Sequence, residues 1–96
     1  MNQTICQAIR EKRIVELRYH GYSRVVEPYA HGRGRDGEGL LRCYQLSGGS
    51  ESGELLGWKL LKTGEIFTLH LTDSHFSPRL EYRRGDKTME FIYCQL

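Results

Sequence analysis

In "RIVELRYH", residues 13–20, Val15, Leu17 and Tyr19 alternate with Glu16, Arg18 and His20. A period of two marks a strand with one face in a core and the other in water. Just before it the period is different. In "ICQAIREK", residues 5–12, Ile5, Ala8 and Ile9 fall at the i, i+3, i+4 spacing of one helical stripe, and Thr4 with Gln7 has the form of a capping box. A helix this short needs a surface to lean on. After a turn at His20–Ser23, "SRVVEPYA" (23–30) predicts a second strand, and Pro28, which has no N–H to donate, places it at a sheet edge or ends it there. "GLLRCYQLSG" (39–48) predicts a third strand, with Leu40, Tyr44 and Leu46 on one side. "GGSESGE" (48–54) is a small-residue loop. "LLGWKLLK" and "EIFTLHLT" predict two more strands joined at Thr63–Gly64, the latter with Phe67, Leu69 and Leu71 on one face and His70 on the solvated side. "DSHFSPRLEYRRGDK" (73–87) is a polar, irregular arm, and "TMEFIYCQL" (88–96) is a sixth strand candidate. One helix followed by five or six short strands closes most easily into a small antiparallel barrel, which hides its own edges.

The chain of 96 residues sets a single domain as the expectation, with a thin core. A charged share of 27% against 39% hydrophobic fits a folded globular chain. The net charge of +2 falls short of the footprint of a dedicated nucleic-acid binder. It is unevenly spread: residues 1–44 hold 8 basic and 5 acidic side chains, so a basic face drawn from the first half is conceivable. The three cysteines, Cys6, Cys43 and Cys94, are odd in number, far apart and without a C-x-x-C pair. They predict reduced thiols in a cytoplasmic protein rather than a disulfide scaffold. Neither a secretory leader nor a membrane-spanning run is expected from the apolar pattern.

Residues 32–37, G-R-G-R-D-G, match the G-x-G-x-x-G form of a dinucleotide cradle. Such a cradle works through the amides and dipole of a following helix. Here the continuation is strand-patterned, so the stretch predicts a mobile loop between strands, with Arg33 and Arg35 as flexible anion contacts above a binding surface. Arg84-Gly85-Asp86 reads as a turn. The histidines and cysteines contain no closely spaced ligand pair, so neither a metal nor another cofactor is expected. No G-x-S-x-G elbow and no gathered carboxylates point to catalysis, which makes a non-enzyme the expectation. The informative constellation is basic and aromatic. Arg42 and Tyr44 lie on the third strand, Trp58, Lys59 and Lys62 on the fourth, and Arg24 on the second. Paired strands would bring these cations to the phenol, a combination suited to a nucleotide or to phosphate with a stacked base.

At these residues the chain resembles the WYL domain family. The resemblance starts in "QAIREKRIVELRYHG" and continues in "RVVEP", Arg24 to Pro28. The family's tripeptide falls on Cys43-Tyr44-Gln45, where Tyr44 matches. A later arginine-rich stretch falls on "KLLKTGEI", with Lys59 and Lys62 at arginine positions and Gly64-Glu65 in place of Asp-Arg. The resemblance covers about residues 5–76. It implies a mainly β fold: an Sm-like, Src-homology-type antiparallel barrel with a short N-terminal helix over residues 1–76, and a C-terminal strand extension, 77–96, packed on the same domain. It further implies a bacterial, cytoplasmic, non-enzymatic ligand-sensing module in transcription or phage-defence regulation, standing without a helix-turn-helix. Its ligand would be a nucleotide or single-stranded nucleic acid held by Arg24, Arg42, Tyr44, Lys59 and Lys62. The competing expectation is an interaction module that forms a homodimer, or recruits a partner protein, through its C-terminal strand.

Overall fold

The anticipated stripe of Ile5, Ala8 and Ile9 is fully buried, and it decides where the helix sits. A computed structural model describes residues 2–96. In it α1 (Asn2–Arg10) lays that stripe on a core of Val15, Leu17, Tyr19, Val26, Leu41, Cys43, Leu61 and Ile66. The helix begins at Asn2, so Thr4 lies inside it and the expected capping box is not formed. Lys12, at a φ of 53°, takes the left-handed turn out of the helix.

Six strands follow: β1 (Arg13–Tyr19), β2 (Tyr22–Arg33), β3 (Gly39–Gly48), β4 (Gly57–Lys62), β5 (Ile66–His75) and β6 (Phe91–Gln95). All pairings are antiparallel, in the order β4-β3-β2-β1-β5, and β6 pairs with β2. The mainly β class is therefore as expected, but the barrel is not closed. Among the described residues β4 and β5 share no ladder, because a 3₁₀ turn at Thr63–Glu65 carries the chain from one sheet edge to the other. A side chain spans part of the gap: the Lys62 N–H donates to the Tyr19 phenol oxygen at 3.0 Å.

β2 organises the sheet, and Pro28 neither ends it nor puts it at an edge. β3 flanks β2 along its length, while the other side is shared, with β1 pairing as far as Val26 and β6 beginning at Ala30. Pro28 falls in the interval between those two partners, where its missing N–H leaves no cross-strand acceptor on that side unpaired. The register slips between Pro28 and Ala30. Such a bulge re-aims a side chain, and here Ala30 joins Tyr29 on the face opposite the helix, in register with Arg42.

The expected shared side of Leu40 and Tyr44 on β3 is kept, and a further slip, on β5, revises another expectation. On β3 the helix-side core takes Leu41 and Cys43, while Tyr44 and Leu46 are half-buried on the other face and Leu40 joins a second cluster with Ala30, Met89 and Ile92. On β5 a register shift sends Ile66 inward and leaves Phe67 81% exposed, apart from Leu69 and Leu71 on the core. The stretch 32–37 is a hairpin turn: the Gly34 N–H donates to the Glu38 carbonyl at 2.8 Å, and β3 follows without a helix. The turn between β1 and β2 uses two left-handed residues, His20 and Gly21, as a two-residue hairpin requires.

The cysteines overturn the expectation of reduced thiols. β6 runs back beside α1, bringing the Cα atoms of Cys6 and Cys94 to 5.7 Å, and the two form a disulfide across 88 residues. That distance lies within the range a bridge accepts, but nothing in the linear spacing announces it. Cys43 stays free and buried, its thiol pushed up to about 12 by burial. Among the described residues no helix is long and apolar enough to cross a membrane.

Closing so long a loop removes roughly 4 kcal/mol of unfolded-state entropy. Reduction, or paired Cys6→Ser and Cys94→Ser changes, is expected to lower the unfolding free energy by about 2–4 kcal/mol in urea titrations. Coincident transitions with and without reductant would count against the bond.

Candidate functional site

The helix-free face of β2, β3 and β4 carries the site. Cross-strand register sets Glu27 opposite Tyr44, and Tyr44 opposite Trp58, in one row across three strands. Arg42 lies two residues along β3 on the same face. The arm between His75 and Phe91, which has neither helix nor strand, crosses this row. It is fastened by two ion pairs of opposite sense. Arg79 of the arm grips Glu27 of the sheet, Nε to Oε1 at 3.0 Å and Nη2 to Oε2 at 3.5 Å. Asp86 of the arm grips Arg42 of the sheet, Oδ2 to Nε at 2.6 Å. Glu27 is only 6% exposed, so removing Arg79 would leave a buried carboxylate unpaired, a change that costs about 3 kcal/mol or more.

Aromatic rings fill the space between the two pairs. Tyr29, fully buried, meets Trp58 edge-on at 4.7 Å, Tyr82 at 4.8 Å and Phe76 at 5.3 Å. Tyr44 meets Trp58 edge-on at 5.3 Å, and the Arg79 guanidinium carbon stands 3.5 Å from the centroid of the Tyr44 ring. Burial pushes the Tyr29 phenol up to about 12, so it stays neutral. Its hydroxyl donates to Glu27 at 3.0 Å and accepts the Arg79 backbone N–H at 3.0 Å. Between sheet and arm a cavity of about 220 Å³ is lined by Arg42, Trp58, Glu81, Tyr82, Arg83 and Asp86. The Trp58 and Tyr82 rings there are close to parallel, 26° apart with centroids at 6.2 Å.

Arg42 and Tyr44 thus share the site as expected, but the other anticipated cations do not join them. Arg24, 4% exposed, points to the helix-side face, where it donates to the Tyr19 carbonyl at 3.2 Å and to Gln45 Oε1 at 3.4 Å and lies over the Tyr19 and Tyr22 rings. Lys59 pairs in register with Cys43, which puts it on that same face, and its ammonium donates to the Glu54 carbonyl at 2.6 Å. Lys62 is on the Tyr44 face by parity, but at the far end of β4, where Glu38 takes its charge at 3.5 Å. Alternation along β4 separates Lys59 from Lys62, because three residues apart is an odd step. Arg33 stacks on Phe91, and Arg35 lies beside Lys87 and Glu90, both away from the row. The residues that sequence reasoning missed are Glu27, Tyr29, Arg79, Tyr82 and Asp86. The Asp86 of the R-G-D turn faces inward onto Arg42. Among the described residues no three His, Cys, Asp or Glu side chains converge as a metal would require.

A second charge cluster lies at the β1–β2 hairpin. The two ring nitrogens of His20 engage Glu51 and Glu65. Glu65 first, then Glu51, raises the His20 pKa, and His20 in turn lowers that of Glu65. A raised histidine value means the contribution is whole below the ordinary imidazole pKa and is lost as pH rises through the folded value. For Glu65 it is present above the ordinary carboxyl pKa and lost as pH falls through the folded value. Proton resonances of the His20 ring are therefore expected to titrate above ~6.5, and to move back toward that value in Glu65→Gln. An unmoved midpoint in the variant would remove the clamp.

No protein-family model, curated protein or solved structure matches the chain.

Proposed function

We propose that the chain is a non-enzymatic ligand-sensing regulatory domain of the WYL type, binding a nucleotide or single-stranded nucleic acid on the Arg42–Tyr44–Trp58 face. The observation that carries this reading is the cavity between sheet and arm. It offers two nearly parallel rings, Trp58 and Tyr82, beside two guanidinium groups, Arg42 and Arg83. Rings accept a base by stacking, and arginine accepts phosphate through two parallel N–H bonds. At about 220 Å³ the space is below the range of sites that enclose drug-sized ligands. It suits a base or a phosphate with the rest of the ligand outside.

Asp86 is the competitor. Burial disfavours its charge, but the Arg42 guanidinium and the Thr88 hydrogen bonds outweigh that and hold the carboxyl below its usual value. It is therefore an anion already seated where a ligand phosphate would go, and binding would exchange one for the other while the arm shifts. The setting in transcription control or phage defence comes with the family resemblance. Arg24, Lys59 and Lys62 are left out of this site by their placement.

Titrating AMP and a short oligothymidylate against Trp58 fluorescence tests the reading. Asp86→Asn is expected to tighten binding about tenfold, equivalent to ~1.4 kcal/mol, and Arg42→Gln to weaken it by at least as much. Equal affinities across wild type and both variants would sink it. A second reading, self-association, is favoured by β6, which pairs only with β2 among the described residues and exposes Phe91 and Tyr93. Sedimentation of the intact chain beside Phe91→Asp decides that one, with a shift to monomer expected.

A further inference from the structure

The Arg79 end of the row has a different chemistry from the cavity. Three separate features of one residue are recognised there. The guanidinium presents two nitrogens to the two oxygens of Glu27, at 3.0 and 3.5 Å. Its guanidinium carbon lies over the Tyr44 ring, 3.5 Å from the centroid. Its backbone N–H is held by the Tyr29 hydroxyl at 3.0 Å. We propose that the cleft of Glu27, Tyr29 and Tyr44 is a receptor for an arginine side chain, occupied in cis by Arg79 and able to take an arginine-bearing peptide in trans when the arm lifts.

The receptor side is built without the arm. Glu27 and Tyr29 belong to β2 and Tyr44 to β3, fixed by the ladder that sets Glu27 opposite Tyr44. The Tyr29 hydroxyl, donating to Glu27 at 3.0 Å, orients the carboxylate before any cation arrives. The occupant, by contrast, comes from the irregular stretch between His75 and Phe91. Structureless segments of that length in small domains are commonly displaceable lids or binding loops. The Arg79 side chain is 32% exposed while that of Glu27 is 8% exposed, so the cleft is open at the mouth and dry at the base. A dry carboxylate discriminates by geometry as well as charge. Lysine brings a compact point charge with neither the fork nor the stacking plane, so the site selects arginine. The tethered Arg79 competes at the millimolar effective concentration of a short linker. A peptide in trans therefore binds the wild type more weakly than a chain lacking Arg79.

The experiment takes the full chain carrying Arg79→Ala and titrates it with the blocked dipeptide Pro-Arg, matching Pro78-Arg79, and with its Pro-Lys counterpart, read by Trp58 fluorescence and by melting temperature. Saturable Pro-Arg binding is expected, at least tenfold tighter than Pro-Lys and at least tenfold tighter than to wild type, and it should vanish when Glu27→Gln is added. Equal affinity for the two dipeptides, or for the variants with and without Glu27, overturns the proposal. If Arg79→Ala unfolds by itself, Pro-Arg must restore a cooperative melting transition where Pro-Lys does not. Failure of that rescue overturns it as well.

Discussion

Glu27 is a carboxylate held almost entirely out of water, and it needs a cation. The sheet does not provide one, since Arg24 three residues away faces the other side. The cation comes from Arg79, 52 residues along the chain. An exposed ion pair would contribute little. Here the desolvated carboxylate makes the difference between paired and unpaired large, and that difference holds the arm on the sheet. Once the arm is down, the rest of the outer face follows: Tyr82 reaches Tyr29 and Trp58, Asp86 reaches Arg42, and Met89 enters the small cluster with Ala30 and Leu40. The outer face of the sheet becomes a second, partly polar core.

β2 makes this possible by serving three neighbours. Its first half closes the helix-side core with β1, its second half docks β6, and β3 runs beside both. Alternation sends Val26 into one core and Tyr29 into the other, and the slip at Pro28–Ala30 turns Ala30 onto the Tyr29 face as well. Leaving the sheet unclosed between β4 and β5 is tolerable because the Tyr19 phenol satisfies the Lys62 amide, one of the groups a closed ladder would have paired.

The readable features were those governed by neighbours in the chain. The stripe of Ile5, Ala8 and Ile9 and the alternation of Val15, Leu17 and Tyr19 each report one buried face of one element, and both are buried as their spacing requires. Bulges are harder, because one extra residue inverts every face beyond it. Phe67 was assigned by uninterrupted alternation, and the slip beside it moved it into water. The site was half legible. Arg42, Tyr44 and Trp58 stood out as a basic and aromatic group, but their partners did not. Arg79, Tyr82 and Asp86 lie in a polar stretch with no period, and their importance comes from contacts with β2, β3 and β4 far back in the chain. Lys59 could have been set aside from parity alone, since an odd step from Lys62 places the two on opposite faces.

The bond between Cys6 and Cys94 closes residues 6–94 into a ring. Cutting the arm or the loop before β4 once would release no fragment, since both pieces stay linked through sulfur and part only in reductant. The bridge also ties α1 to β6, the first and last elements among the described residues. The C-terminal end is held by the arm, the Arg84 guanidinium donating to the Leu96 carbonyl at 2.9 Å, so a protein joined there would hang beside the arm.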